Sequence, residues 1–314
     1  MRGWISIFFF TALMQANVAF LEIEVGEVTW GRNGIAEQPL VYQTTSSGTA
    51  SLMNVSDVNR SNDWTPGFLA RLGIFPVSQF GLDLRYLGLL KWTESRAVST
   101  LDTNVTYSLN VLDGFPISFT RGTQAIEEYQ MGYESADMLF AWNFSPLYEK
   151  FFGMRVEAGP SFIYVYDRLS QVLTSPVFLQ EYNIRSDNYL LGGRMYAELI
   201  GVPKPFIWGV RGSAGIYSNI YYQSSYLDQS IPTIKTFSYP TSSSWMSTLI
   251  QGEIFFGITF LNAWRLKASY GGELLSNIGS ATNQLGLAFG KESIQTRTKY
   301  LLSGVAVSLE VDLF

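Results

Sequence analysis

From Met246 to Leu274 the chain alternates between two kinds of residue, and this alternation constrains the fold more than any other stretch. Met246, Thr248, Ile250, Gly252, Ile254, Phe256, Ile258 and Phe260 share one parity, and Ser247, Gln251, Glu253, Gly257 and Thr259 share the other. That is the period of a β-strand. After a break at Leu261, Asn262 and Ala263 the pattern resumes. Trp264, Leu266, Ala268, Tyr270, Gly272 and Leu274 fall on one face, with Arg265, Lys267, Ser269, Gly271 and Glu273 on the other. One side of this hairpin suits an apolar solvent and the other carries charge. A soluble sandwich would turn the charged side to water, whereas a transmembrane barrel would turn it to a lumen and the apolar side to lipid.

The chain's 314 residues suffice for one large all-β domain. Only 15% are charged, against roughly 25% in an average soluble domain. A net charge of −5 offers no footprint for nucleic acid. Residues 1–19 carry Arg2, an apolar run from Trp4 to Met14 and small residues at Ala16 and Ala19. This is the layout of a secretory signal peptide and leaves 20–314 for the barrel. With no cysteine there is neither a lipoprotein anchor nor a disulfide framework. No later stretch holds about 20 uninterrupted apolar residues, so any membrane crossing is made by strands.

Alternation predicts ten strands, centred on Leu21–Trp30, Phe68–Ile74, Phe80–Gly88, Ala136–Phe144, Arg155–Tyr166, Leu191–Leu199, Phe206–Ile216, the two halves of the opening hairpin and Val305–Leu313. Glu27 breaks the phase of the first strand, which predicts a bulge after Gly26. Pro160 cannot donate to a ladder, which predicts another. The polar stretches 32–65, 91–130, 167–184, 217–244 and 276–298 read as loops, and extra strands within 100–112 or 218–240 would raise the count to twelve. Links near 77, 148, 203 and 262 are short and those near 48, 110, 175, 230 and 287 long, in strict alternation. Outer-membrane barrels sort their connections this way, with short periplasmic turns and long external loops. The apolar parity of strands two to ten is also free of charge, as lipid demands. The expected fold is therefore an antiparallel transmembrane β-barrel. Phe314 falls on the parity of Glu310 and Asp312 rather than on the outward parity common at barrel C-termini, a departure that bears on recognition by the barrel assembly machinery.

Short Gly- and aromatic-rich stretches also carry a family likeness. They are Trp64, Pro66, Gly67 and Phe68; Leu84, Arg85, Tyr86, Gly88 and Trp92; Tyr133 to Asp137; Asn188 and Leu191 to Gly193; Gly215, Ile216, Tyr217 and Asn219; and Gly252, Glu253, Ala268, Tyr270 and Gly271. In this order they resemble the outer-membrane β-barrel family widespread in planctomycetes, and more loosely the Legionella-type pore-forming barrels. The resemblance implies an exported barrel and says little about activity.

The chain contains no histidine. That excludes a Ser-His or Asp-His hydrolase and any His or Cys metal site. Carboxylate-only chemistry stays open, but the acids are scattered over different strands, and no enzyme activity, metal or cofactor is expected. Gly209, Gly212 and Gly215 lack the strand-to-helix context of a phosphate loop and read as close strand approach. The pairs Tyr164–Tyr166 and Tyr221–Tyr222 read as an interfacial girdle, with a sugar platform as the other possibility. The inward charges are Arg71, Arg85, Arg155, Arg194, Arg211, Arg265 and Lys267 against Asp83, Asp137, Glu157, Glu198, Glu253, Glu273, Glu310 and Asp312. In a narrow lumen they pair and close it; in a wide one they line a weakly selective channel. Barrels of about eight strands are just filled by side chains and open channels have 16 or more, so ten strands lie nearer the filled end. The expected role is structural or surface-interacting, with outer-membrane lipid as solvent. The alternatives are a small pore for ions or polar solutes and an exported soluble sandwich that binds a ligand.

Overall fold

The computed structural model describes residues 20–33, 39–45, 48–54, 64–77, 79–99, 106–109, 117–119, 124–144, 152–175, 178–229, 235–261, 263–281 and 298–313. They form fourteen strands: β1 (Phe20–Asn33), β2 (Pro39–Thr45), β3 (Gly48–Asn54), β4 (Trp64–Val77), β5 (Phe80–Ser99), β6 (Thr106–Leu109), β7 (Ile117–Phe119), β8 (Gln124–Asn143), β9 (Phe152–Ser175), β10 (Phe178–Gly201), β11 (Phe206–Gln229), β12 (Lys235–Phe260), β13 (Trp264–Ile278) and β14 (Thr298–Leu313). Ten of them close an antiparallel barrel in the order β1-β14-β13-β12-β11-β10-β9-β8-β5-β4, with β1 pairing to both β4 and β14. The other four make a small sheet, β3-β2-β6-β7. Among the described residues there is no helix. The ten barrel strands are those read from the alternation, and the count stays at ten because β6 joins the small sheet.

Burial follows parity. Along β10, Leu191, Met195 and Leu199 are 64%, 60% and 54% exposed, while Arg194 and Glu198 between them are 3% and 6% exposed. The charged face therefore points into the barrel and the apolar face out, the inverse of a soluble protein. On β8 to β12 the outward positions from Trp142, Phe152, Leu199, Val210 and Phe256 up to Ala136, Phe162, Leu191, Ser218 and Met246 carry no charge. The run Phe152–Phe162 matches the roughly 9 to 11 residues a tilted strand needs to cross a bilayer. Aromatic belts bound it. At the short-turn end Phe80 meets Trp142, Trp142 stacks on Phe144 at 4.8 Å and Phe152 meets Trp208. At the other end Tyr164 stacks on Tyr189 at 4.9 Å, Tyr189 meets Tyr222 edge-on, and Tyr166 lies beside Tyr164. The girdle expected of Tyr164, Tyr166 and Tyr222 is present, but Tyr221 points inward and is buried.

Several expectations need correction. β1 runs without a bulge at Gly26, in unbroken register with both neighbours. The phase is kept by turning Glu27 outward and Val28 and Trp30 inward. A Cβ on Gly26 would stand 2.6 Å from the Val307 carbonyl oxygen, and its absence lets the strands approach without a bulge. Pro160 is not bulged either. It pairs with Gly193 on β10, and the β8–β9 ladder skips from Asp137–Ser161 to Phe140–Ala158 with its register preserved. Register does shift between Leu87 and Leu90, where Leu89 has φ 63°, and between Ser276 and Ile278, where Asn277 has φ 62°.

Among the described residues the stretches read as loops are largely ladder, and the links near 175 and 230 that were expected to be long are short. β9 and β10 pair as far as Ser175–Phe178, and β11 and β12 as far as Gln229–Lys235. β5 runs to Ser99 and β8 starts at Gln124, while β2 and β3 lie within 32–65. Beyond the tyrosine belt the outer face no longer needs to be apolar, so these extensions lose the contrast that marks a strand in sequence. The signal peptide at 1–19, the link near 148 and the parity of Phe314 lie outside the described residues.

Candidate functional site

The lumen is built in layers, and each follows from which inward residues the register brings level. At the short-turn end Phe20 stacks on Phe75 at 4.4 Å beside Ala141, and Ile200, Ile207 and Phe255 form a second apolar patch.

Above this floor lies an ionic layer containing all fifteen inward charges singled out from the strand pattern. Arg71 donates Nε to Asp83 at 2.6 Å and reaches Glu22 and Glu157 at 3.4 Å. Arg85 bonds Glu157 and lies 3.3 Å from Asp83. Arg155 donates to both oxygens of Glu22 at 2.9 and 2.7 Å and to Asn143 at 2.7 Å. Arg211 bridges Glu198 at 2.6 Å and Glu253 at 3.3 Å. Arg265 holds Glu310 and Asp312, while Lys267 holds Glu310 and, at 2.8 Å, Glu24. Arg194 lies 3.3 Å from Glu273 and 3.6 Å from Asp137, and also bonds Ser213 and Gln251.

Two carboxylates of this layer, Glu22 and Glu24, were not among the expected lumen residues. Their parity opposite Leu21 and Ile23 was the available signal, obscured by Glu27 on the other face. They widen the excess of acids over bases, and hydroxyl donors fill the gap. Tyr196 donates to Asp137 at 2.7 Å, Tyr133 to Glu273 and Ser308 to Glu24 at 2.6 Å. The layer has the satisfied pairing that desolvated charges require.

A cavity of about 70 Å³ sits on the ionic layer, between Arg71, Arg85, Arg194 and Arg211 below and Val28, Trp30 and Leu69 above. By the usual need of roughly 10 to 15 Å³ per water it has room for a few waters. An aromatic and aliphatic plug covers it, containing Trp30, Trp92, Tyr129, Met131, Tyr133, Ile163, Tyr217, Leu249 and Leu302. Trp92 donates to the Trp30 carbonyl at 3.2 Å.

Past the plug, level with the tyrosine belt and beyond, polar knots close the upper lumen. Asp167 accepts from Tyr300 at 2.8 Å, Ser280 at 2.7 Å, the Ala281 amide at 2.7 Å and Tyr129 at 3.2 Å. Asn188 joins Asn219 and the Gly279 backbone. Three buried side chains of the upper lumen stay unmatched: Arg32 lies over the Tyr129 ring at 4.4 Å without an acceptor, and Glu127 and its ladder partner Gln171 make no hydrogen bond of ordinary geometry. None of these upper residues was anticipated as lumen-lining, because most lie on strand extensions that read as loops and Asn188 and Tyr300 fall at the ends of the predicted strands.

No group of three or more metal-ligating side chains occurs among the described residues. Gly209 is a close-approach glycine, as expected: a Cβ there would stand 2.5 Å from the Leu199 carbonyl oxygen. Gly215 faces the Tyr217 ring, but the close approach expected at Gly212 is absent, since a Cβ there would meet only the Gln251 carbonyl oxygen at an ordinary 3.8 Å.

None of the family models or curated proteins compared with the chain matches it. Among solved structures it is similar to the outer-membrane protease OmpT from Escherichia coli, at 9% identity, 95% and 98% coverage of the two chains and a TM-score of 0.44. It is also similar to CarO from Acinetobacter baumannii, at 11% identity, 90% and 95% coverage and a TM-score of 0.25. A third is the channel DcaP from the same organism, at 9% identity, 94% and 97% coverage and a TM-score of 0.20. At such values the fold assignment rests on the strand pairing itself, and the chemistry of those proteins does not transfer to this chain.

Proposed function

We propose that this protein is an integral outer-membrane β-barrel with a side-chain-filled lumen, whose role is structural or exercised through its external surface rather than by conduction or catalysis. The observation that carries the reading is the layering of the lumen. A paired ionic network, a cavity for a few waters and a continuous apolar plug follow one another along the axis. A solute would have to break desolvated ion pairs and then displace Trp30, Trp92 and Tyr133. The outward apolar band between two aromatic belts supports the membrane location, and strands that turn back close to one belt but run on well past the other support an outer membrane. The likeness to the planctomycete-type family belongs to the same proposal.

Two experiments test this. Carbonate washing of isolated outer membranes should leave the protein in the pellet; release into the wash would overturn the membrane reading. Proteoliposomes holding folded protein should swell no faster in small sugars than empty liposomes, and faster swelling would favour a pore.

A further inference from the structure

On the outer face of the barrel the ladder places residues of β8, β9, β10 and β11 in rows. Tyr164 and Tyr189 share one row, and Tyr166, Asp187 and Tyr222 the next. The following row, just past the tyrosine belt, sets Arg168 directly opposite Arg185, flanked by Gln130 and Ser224. These four and the row beyond line a groove of about 440 Å³. Like charges directly opposite on neighbouring strands repel, so this pairing needs something to offset it.

Each guanidinium is held in place from the belt side. Arg185 donates Nε to Asp187 at 2.6 Å and Nη2 at 3.2 Å, and Asp187 also accepts from Tyr164 at 2.7 Å. Arg168 lies over the Tyr166 ring at 5.2 Å and makes no ion pair among the described residues. Nη1 of Arg185 and the whole fork of Arg168 are thus left to face the groove, with Ser170, Asn183 and Ser224 beside them. The one carboxylate among the described residues of the groove, Glu128, lies in the row farther from the membrane and pairs with neither arginine.

We propose that this groove binds the phosphate headgroup of an anionic membrane lipid, with Arg168 and Arg185 as its paired guanidinium ligands. Position favours a lipid over a free anion: lipid-facing tyrosines mark the interface, and the arginines stand one row past it, where headgroup phosphates lie. Two forks matched to one phosphate would turn their mutual repulsion into shared attraction. The proposal rests on the barrel spanning a membrane.

The test uses the folded, full-length protein in phosphatidylcholine nanodiscs with and without lipid A, its bound lipid read by native mass spectrometry after release. Wild-type protein should retain lipid A, and Arg168→Gln and Arg185→Gln should each weaken retention roughly tenfold. Ser170→Glu, which leaves both arginines in place, should weaken it too, guarding against misfolding of the arginine variants. Dephosphorylated lipid A should not be retained, and inorganic phosphate should not compete at concentrations where lipid A is bound. Equal retention by wild type and all three variants, or equal retention of the dephosphorylated lipid, would overturn the proposal, as would displacement by inorganic phosphate. Failure to insert into discs at all would instead count against the membrane reading.

Discussion

Arg155 on β9 grips Glu22 on β1 across the lumen, Nη1 to Oε2 at 2.9 Å and Nη2 to Oε1 at 2.7 Å, with both side chains sealed from solvent. The two strands are not neighbours in the barrel wall, so this pair ties opposite parts of the ring together. Removing one partner leaves a charge in a dry interior, at a cost of about 3 to 5 kcal/mol. Arg155→Met should lower unfolding stability by that amount in urea titrations of refolded protein. Arg155→Met with Glu22→Gln should lose less than the sum of the two single changes, because neither then strands a charge.

The outward band is equally specific. Met195 sits near the middle of the lipid-facing stretch of β10 and is 60% exposed, whereas Asn183 on the same strand lies past the tyrosine belt. Met195→Arg should cost about 2 to 4 kcal/mol of folding stability in lipid, and Asn183→Arg about 0 to 1 kcal/mol. Folding titrations into lipid vesicles measure both, and equal costs would contradict the placement of the bilayer.

Two glycines test the close approach of strands. A Cβ on Gly192 would stand 2.0 Å from the Ile216 carbonyl oxygen and 2.7 Å from the Tyr217 Cα, both backbone atoms, while one on Gly252 would meet nothing within 4 Å. Gly192→Ala should destabilise by about 1 to 3 kcal/mol through overpacking. Gly252→Ala should be neutral or slightly stabilising, since it reduces the freedom of the unfolded chain.

Glu127 lies beyond the tyrosine belt, buried beside Gln171, and burial pushes its carboxyl well above the ordinary 4.5. The folded protein therefore keeps a proton there that the unfolded chain releases above pH 4.5, so this group's contribution to stability falls as pH rises past that value. Glu127→Gln should stabilise the protein by about 1 to 3 kcal/mol at neutral pH. The difference should close as pH drops below 4.5. Thermal unfolding of both proteins across that range reads the effect, and a gap independent of pH would contradict it.

The strand count, the closed barrel and the fifteen charged lumen positions were legible because lipid on one side and paired charge on the other enforce a strict period of two. Where one solvent changes, legibility ends. At Tyr129 and Glu128, past the belt, the outer face turns polar while the inner face mixes Tyr129 with Glu127, so neither parity stands out. Glu27 hid Glu22 and Glu24 because an outward acid on β1 reads as a break in phase. The irregularity at Leu89 has no cue, since leucine rarely takes positive φ; at Asn277 the residue type tolerates it. There the turned carbonyl accepts from Trp245 and Ser247, a contact no local pattern reports.

The central claim is that the filled lumen does not conduct. Its most direct test is single-channel recording of refolded protein in a planar bilayer, with circular dichroism confirming folded β-structure in the same preparation. The layered lumen predicts silence from folded protein. Discrete, stable openings whose ion selectivity shifts when Arg211 or Lys267 is replaced by Glu would contradict it and establish a pore lined by the ionic layer.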